Sequence, residues 1–382
     1  MKQVEKLLFA LIKYSICKDT QAPVITSGQE LSEVCQLAAS HDMMHLVSHA
    51  LLDLGVAEKS PQFAEALENE RLKAVYRAEK LEDELAVVCA LFESEKIDHI
   101  PLKGAVLRGL YPEGWMRTSS DIDVLVRKED MDRAIELIKE RLSYRFHLTT
   151  DHDFEFFSPS GVHFELHFLL REGDPIVDGV LARVWDYASG GYKKDLAPEM
   201  FLFYHLAHMA KHTKSRGCGI RPFVDLWIME KSSMLDNEEC RQLVLNNGLN
   251  SFYQAALQLA HAWLDGKDCD PVAEALGEYI LNGGVYGNLE NMMTVKQMKK
   301  GGKLGYALSR IFLSYDNLKM FYPALQKHKW LTPFCQLMRW FRLIFTKGGV
   351  KRSLDELKTS AAISDDKVKG VDSLFTALGL KN

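Results

Sequence analysis

The chain has 382 residues, which on a prior of about 100–200 residues per domain is enough for two or three domains. Hydrophobic residues make up 47% and charged residues 26%, the balance of an ordinary globular protein and not of a disordered or membrane-embedded chain. The formal net charge of −5 excludes a global electrostatic pull toward nucleic acid or an anionic membrane, so that any basic binding surface has to be local.

The cysteines and the N-terminus bear on where the protein is located. The seven cysteines are scattered along the chain, and no two of them lie at metal-ligand spacing. An odd, scattered set is typical of a reducing compartment, so a cytoplasmic protein is predicted. The first residues lack the apolar core and the small-residue cleavage site of a signal peptide. No stretch reaches about 18 uninterrupted apolar residues, and no transmembrane segment is expected.

Residues 1 to about 96 form the first predicted segment, and their pattern is helical. Apolar residues recur at helical spacing from Leu7 to Ile12 and again from Asp42 to Leu54. Pro61 begins the longest amphipathic stretch, which runs to about Lys96 without a glycine. We therefore expect residues 1–96 to be an N-terminal helical segment.

Residues 97–172 are predicted as a small α/β unit, because the periodicity changes at Ile97. Short apolar or alternating runs are typical of strands, and the turn at 158–161 joins the last two as a hairpin. The predicted strands are 97–102, 121–126, 144–149, 153–157 and 162–169, and the predicted helices are 104–110 and a segment that begins at Glu129. The fold class is therefore predicted as α+β, a small mixed sheet embedded between N- and C-terminal helical segments.

Residues 173–382 are predicted as a C-terminal helical domain, with the clearest periodicity from Pro198 onward. One stretch, 327–352, interleaves basic and aromatic residues. It could bind nucleic acid or lie on a membrane. It could also be a helix that packs its aromatic side chains inward and leaves its basic face in water.

Asp121 and Asp123 are the first candidates for a functional site. They begin an apolar, β-branched run, and in a strand residues i and i+2 point to the same side. Two neighbouring carboxylates repel each other unless a cation lies between them, and Mg²⁺ or Mn²⁺ accepts such oxygen ligands together with phosphate. The plain alternative is a solvated strand end with an Asx-type turn.

A third carboxylate, Glu165, lies between His163 and His167 on one face of the last predicted strand. If this strand lies near that of Asp121 and Asp123, the three carboxylates could converge. Such a set can hold two divalent ions roughly 3.5–4 Å apart, the arrangement used for in-line phosphoryl displacement. Glu165 and both histidines could also be ordinary residues of an outward-facing strand surface.

A metal–phosphate site also needs groups that bind phosphate oxygens. Lys103-Gly104 stands where a predicted strand ends and a helix begins, so that free N–H groups, a close backbone approach and a positive charge coincide. Arg117, Ser119 and Ser120 lie just ahead of the aspartates and could hold phosphate or sugar oxygens. Lys103 could instead be a plain surface lysine.

Three motifs carry a resemblance to a known family: L-K-G at 102–104, R-x-x-S-D-I-D at 117–123 and E-x-H at 165–167. With these motifs the chain resembles the nucleotidyltransferase superfamily with the DNA polymerase β-like fold. It is most similar to the uncharacterised nucleotidyltransferase family proteins built around the same three motifs. The superfamily usually has Gly-Ser or Gly-Gly where this chain has Lys103-Gly104.

The resemblance implies roles for the motif residues. It implies that Asp121, Asp123 and Glu165 are the catalytic metal ligands, with Mg²⁺ or Mn²⁺ as cofactor. It also implies that a nucleoside triphosphate such as ATP is bound in the small mixed sheet unit. The nucleotide-binding residues that we expect beside the metal are Lys103, Gly104, Arg117, Ser119 and Ser120.

The resemblance extends to the helical part that follows, where the family shows a histidine-rich helix and an Arg…Asp segment. His205, His208 and His212 share one helical face. A zinc set is disfavoured there, because no carboxylate or cysteine joins them at metal-ligand spacing. Arg221 and Asp225 could form an i, i+4 ion pair. The residues that we expect on the acceptor side are His167, His205, His208, Arg221 and Asp225.

The predicted function is a metal-dependent nucleotidyltransferase that transfers a nucleoside monophosphate from the triphosphate to an unidentified hydroxyl acceptor. The acceptor could be a small molecule, a sugar, a protein hydroxyl or an RNA end; nucleic acid is possible but not indicated. The alternative is a non-catalytic, antitoxin-like module that binds nucleotide or a partner protein. A metal phosphohydrolase, which needs no acceptor, is a third interpretation.

Overall fold

The computed structural model describes residues 1–17, 20–58, 60–235, 238–285, 287–345 and 349–381, with side chains except at 344 and 349–355. In the predicted basic and aromatic stretch, Lys347 and the side chains of Lys351 and Arg352 lie outside this description.

Four helices precede the sheet, as predicted for the N-terminal segment. The longest spans 34 residues, because no glycine or further proline interrupts it after Pro61, whose fixed φ and missing N–H suit the first turn of a helix. Ser27 caps the second helix by accepting a hydrogen bond from the backbone N–H of Glu30. The helices are α1 Gln3–Ile16, α2 Gly28–Ser40, α3 Met44–Asp53 and α4 Pro61–Ser94.

Five strands form a small mixed sheet, which confirms the predicted fold class. The strands are β1 His99–Pro101, β2 Asp121–Val126, β3 Arg145–Thr149, β4 Asp153–Phe157 and β5 His163–His167, and the helices among them are α5 Gly104–Leu107 and α6 Met131–Arg141. The spatial order is β1-β2-β5-β4-β3. Only β2 and β5 run parallel among these neighbours. The sheet's central strand is thus β5, which carries the predicted third carboxylate.

The two faces of the sheet differ in chemistry, because side chains alternate along each strand. Ile122 and Val124 of β2 and Phe164 and Leu166 of β5 are buried, and they share a hydrophobic core with α4 and α6. The residues between them in the sequence therefore point to the opposite face. This face carries the acidic residues and histidines of β2 and β5.

Helices and a short two-stranded ribbon follow the sheet. Their bounds are α7 Pro175–Leu181, β6 Ala188–Gly190, β7 Lys194–Leu196, α8 Pro198–Ser215, α9 Arg221–Lys231, α10 Glu238–Asn246, α11 Asn250–Leu264, α12 Pro271–Leu281, α13 Leu289–Lys299, α14 Lys303–Ile311, α15 Tyr315–Phe321, α16 Thr332–Phe345, α17 Gly349–Ala362 and α18 Asp365–Ala377.

The helices that precede the sheet in the sequence and those that follow it share one hydrophobic core. Phe9 of α1 stacks on Trp263 of α11, with ring centroids 4.5 Å apart. Phe223 of α9 meets the same indole edge to face at 5.1 Å. The domain boundaries predicted near 96 and 172 stay a prediction, but the N- and C-terminal helices bury their apolar faces against each other.

The seven cysteines all lie in the described ranges, and none of them forms a disulfide there. Among the helices of the described ranges, none is both long enough and apolar enough to cross a membrane.

In the basic and aromatic stretch 327–352, several aromatic side chains are exposed and do not pack inward, as one interpretation of the sequence had predicted. Trp330, Phe334 and Phe341 are 69%, 61% and 61% exposed, so a helix that turns its aromatic side chains inward is wrong for these residues. Trp340 is half-buried and donates its indole N–H to the backbone carbonyl of Ile311.

Candidate active site

A cleft of about 620 Å³ lies between the polar face of the sheet and helices α8 and α9. All the predicted site residues line it: Lys103, Gly104, Arg117, Ser119, Ser120, Asp121, Asp123, Glu165, His167, His205, His208, Arg221 and Asp225. A larger cavity of about 1130 Å³, lined by α1, α11 and α12, contains none of them. The residues that the sequence predicted for the site therefore lie together in the cleft of about 620 Å³.

The register of β2 and β5 brings the three predicted carboxylates together. Asp123 is the direct partner of Glu165, and Asp121 is the partner of His163. Ligand atoms of Asp121, His163 and Glu165 lie within 4.8 Å of one another, and so do those of Asp123, Glu165 and His167. Glu165 belongs to both groups, so it stands between the two aspartates.

Lys103 and His167 both contact the same oxygen of Asp123. Lys103 Nζ lies 2.7 Å from Asp123 Oδ1, and His167 Nε2 lies 3.0 Å from it. Burial alone would raise the pKa of Asp123, but Lys103 and His167 hold it well below the usual range. Asp123 is thus held as a carboxylate.

Asp121 has a different environment. Burial and the charge of Asp123 raise its pKa to about 6. Among the described residues its carboxylate forms no ion pair. Asp121, with its raised pKa, forms with Asp123 and Glu165 a set of three carboxylates. This set fits a hard divalent cation, because the cation would offset the repulsion among the three negative charges.

His167, which the sequence predicted on the acceptor side, contacts two of the predicted metal ligands, Asp123 and Glu165. Besides Asp123, its Nε2 lies 3.4 Å from Glu165, and its Nδ1 lies 3.7 Å from Asp153. Burial alone would lower the pKa of His167, but its hydrogen bonds to Asp123 and Glu165 raise it to about 9. An imidazolium at this position orients the two carboxylates.

The predicted phosphate loop is tight at Lys103-Gly104. Lys103 has φ +45°, a left-handed conformation that is strained for a residue with a Cβ. A Cβ at Gly104 would lie 3.1 Å from Ser119 Oγ, so that the glycine permits a close approach of the two loops. The helix that starts here, α5, has four residues and continues as a 3₁₀ turn over Arg108–Leu110, so that the two together span the predicted 104–110. The N–H groups of Ala105 and Val106 donate to the carbonyls of Leu102 and Lys103.

Arg117 and Asp225 are joined in a buried ion pair. Arg117 Nε lies 2.8 and 3.0 Å from the two Asp225 oxygens, and Tyr111 donates its hydroxyl to Asp225 at 2.8 Å. Arg221 pairs with Asp42 instead. The i, i+4 pair between Arg221 and Asp225 is therefore not the pairing in the structure, and the carboxylate of Asp225 is taken up by these contacts.

The three histidines of α8, His205, His208 and His212, make different contacts. His205 Nε2 bonds the backbone carbonyl of Pro222, 3.1 Å away, which ties α8 to α9. His208 Nδ1 lies 3.1 Å from Glu172 Oε1, and the ring of His212 stacks edge to face on His208 at 4.4 Å. Burial lowers the pKa of His208, which favours its neutral imidazole.

Sequence reasoning missed three acidic residues of the cleft. Glu155 of β4 is the register partner of Glu165, and Asp153 is the partner of His167. Their positions could have been found from the predicted hairpin, because its turn fixes which residues face each other. Glu172 follows the last strand in a loop, and no periodic signal marks it.

We expect the stability contributed by Glu172 to depend on pH. Burial alone would raise its pKa, but His208 and Lys211 lower it to about 2 from an ordinary value of 4.5. A lowered pKa stabilises the fold above pH 4.5, and this is lost as the pH falls toward 2. Glu172→Gln should lower the free energy of unfolding by about 2–3 kcal/mol at pH 7 and by about half of that or less at pH 3. Urea denaturation at both pH values measures this, and an equal loss at both would contradict it.

Comparison with known protein families gives one finding. The profile of a family described as uncharacterised nucleotidyltransferase matches residues 27–265, which is more than half of the chain and includes every predicted site residue. Neither the curated proteins nor the solved structures give a significant match.

Proposed function

The chain belongs to the family of uncharacterised nucleotidyltransferases, and from this premise we propose that it transfers a nucleoside monophosphate from a nucleoside triphosphate to a hydroxyl acceptor. The observation that carries the proposal is the convergence of Asp121 and Asp123 on Glu165 in the cleft, with Lys103 beside them. Carboxylates in this arrangement suit metal-assisted phosphoryl chemistry, whereas a plain binding module has no need of them.

Asp121, Asp123 and Glu165 would hold the metal, Mg²⁺ or Mn²⁺. When bound, a divalent ion neutralises phosphate charge and polarises the reacting oxygens. Lys103 and His167 keep Asp123 ionised and oriented toward that position. The backbone N–H of Gly104 and the hydroxyl of Ser120, two residues that line the same cleft, would donate hydrogen bonds to phosphate oxygens.

The reaction is a displacement at the α-phosphorus. The acceptor oxygen forms a bond to this phosphorus, the bond to the bridging oxygen of the β-phosphate breaks, and pyrophosphate leaves. The proton of the acceptor hydroxyl needs a base on the acceptor side. His208 is suited to this, because its Nδ1 donates to Glu172 and its Nε2 is then free of a proton.

A change at His208 tests this assignment. We expect His208→Gln to lower kcat by about 100-fold and to leave the KM for the triphosphate within about threefold, because the base acts on the acceptor and not on the nucleotide. His212→Gln is the matched control on the same helix and should change kcat by less than about threefold. Equal losses in the two variants would show that packing of the helix, and not proton transfer, is affected.

The proposed function is tested by following label and pyrophosphate together. Purified protein is incubated with each of the four α-labelled ribonucleoside triphosphates, Mg²⁺ or Mn²⁺, and fractions of cell extract as source of the acceptor. Label transferred to an acceptor with equal release of pyrophosphate supports the proposal. Nucleotide or phosphate released without an acceptor indicates a hydrolase. Tight nucleotide binding without either product indicates the binding module.

A further inference from the structure

The surface formed by α14, α15 and α16 carries an unusual share of the apolar side chains in contact with water. Half of the exposed large apolar residues that the structure describes lie between Leu304 and Phe345. We refer to residues 304–345 as the α14–α16 surface. Its own core is small and centres on Leu318, Leu325 and Cys335. A globular surface rarely exposes so many apolar residues together unless it meets a partner.

The apolar residues of α16 lie on one face of the helix. Because each residue turns the helix by about 100°, their spacing confines them to an arc of roughly 100°. The opposite side is turned inward, where Cys335 and Gln336 are only 6% and 7% exposed. The face points away from this core and consists of Phe334, Leu337, Met338, Phe341 and Phe345, which are 61%, 47%, 58%, 61% and 81% exposed.

The charge of this region has one sign. Between Asp316 and Asp355 the sequence has no acidic residue, although the whole chain has a net charge of −5. The basic residues of this interval are Lys319, Lys327, Lys329, Arg339, Arg342, Lys347, Lys351 and Arg352. Of these, Lys327, Lys329 and Arg342 are exposed on the α14–α16 surface. The exposed apolar face of α16 is thus flanked mainly by positive charge, and Asp316 of α15 is paired with Lys319.

We propose that the α14–α16 surface binds the surface of an anionic lipid bilayer. The apolar face of α16 would lie at the boundary of head groups and acyl chains, with Trp330 at the same level, while Lys327 and Lys329 contact lipid phosphates. A bilayer accepts protruding side chains without a shaped pocket, which suits the exposed apolar side chains of α16.

Two other occupants fit less well. A second copy of this chain would set Lys327 and Lys329 against positive residues, because Asp316, the one acidic residue in the sequence from 304 to 345, already pairs with Lys319 at 2.7 Å. Single-stranded nucleic acid stacks its bases on aromatic rings interleaved with basic groups. Here the aliphatic Leu337 and Met338 stand between the rings of Phe334 and Phe341.

Co-sedimentation of the full chain with vesicles tests the proposal. Neutral phosphatidylcholine vesicles are compared with vesicles containing about 30 mol% phosphatidylglycerol. We expect binding to the anionic vesicles at least about tenfold tighter than to the neutral ones, and weaker at high salt. Phe334→Ser with Phe341→Ser should lower this binding by about tenfold or more. The matched control is Leu72→Ser with Tyr76→Ser, two exposed apolar residues of α4, and it should bind as the wild type does.

Several results would overturn the proposal. They are no binding to anionic vesicles, equal binding to both vesicle types, or equal binding of the Phe334/Phe341 variant and the wild type. A dimer in light scattering that this variant dissociates would assign the face to a second copy. RNA that displaces the protein from vesicles would assign it to nucleic acid. If the double variant does not fold, Lys327→Gln with Lys329→Gln decides, and unchanged binding to anionic vesicles overturns the proposal.

Discussion

Replacement of Asp121 by asparagine is expected to lower nucleotidyl transfer by about 1000-fold, or ~4 kcal/mol of transition-state free energy. The physical reason is the loss of one anionic ligand from a set that would otherwise hold a divalent cation against the phosphates. Asp123→Asn should lower nucleotidyl transfer by as much, but it also removes the negative charge that Lys103 contacts at 2.7 Å. Asp121→Asn is therefore the cleaner test, because Asp121 forms no ion pair among the described residues.

The matched control for this prediction is Glu155→Gln. Glu155 lies directly opposite Glu165 in the sheet and lines the same cleft. It belongs to neither of the two groups of potential metal ligands that contain Glu165. Its change should alter the rate of label transfer by less than about fivefold. If Glu155→Gln lost as much activity as Asp121→Asn, the assignment of Asp121 as a specific ligand would fail.

Removal of the Asp225 carboxylate is expected to give the second large effect, on stability. Asp225 is fully buried, and it neutralises Arg117 while accepting a hydrogen bond from Tyr111. Asp225→Ala leaves a guanidinium buried without its counter-charge, which costs about 3–5 kcal/mol. We expect this loss in the free energy of unfolding by urea denaturation.

An exposed ion pair of the same protein provides the comparison. Glu95 contacts Arg133 at 2.7 Å, with side chains 26% and 51% exposed. Glu95→Gln should therefore change the free energy of unfolding by less than about 1 kcal/mol. A loss at Asp225 no larger than that at Glu95 would mean that Arg117 finds water or another partner, and that α9 does not depend on this pair.

The sequence alone predicted the five strands of the sheet and the shared face of Asp121 and Asp123. Strand alternation predicted that Asp121 and Asp123 share a face, and the parallel pairing of β2 with β5 places Glu165 beside them. Local signals of this kind are visible because period and turn chemistry act over a few residues. The helix predicted over 104–110 is an α-helix only to Leu107 and ends as a 3₁₀ turn at Leu110, ahead of Pro112.

The partners of the charged residues could not be predicted. Arg117 and Asp225 are 108 residues apart, and their pairing depends on how α9 docks against the sheet. The contact of Arg221 with Asp42 spans 179 residues in the same way. Ion pairs between residues far apart in the sequence produce no periodic pattern from which they could be predicted. The sequence therefore suggested the i, i+4 pair of Arg221 with Asp225 instead. The contact of His167 with Asp123 was not predicted either, since it follows from the register of β2 and β5.

The central claim is that Asp121, Asp123 and Glu165 hold a metal-bound triphosphate. The most direct measurement is a crystal structure with Mn²⁺ and a non-hydrolysable nucleoside triphosphate, in which anomalous scattering locates the metal. We predict a peak within about 2.0–2.3 Å of oxygens from at least two of these carboxylates, with the phosphates toward Lys103-Gly104. A peak only at His152, Asp153 and His167, or a triphosphate bound outside this cleft, would contradict the claim.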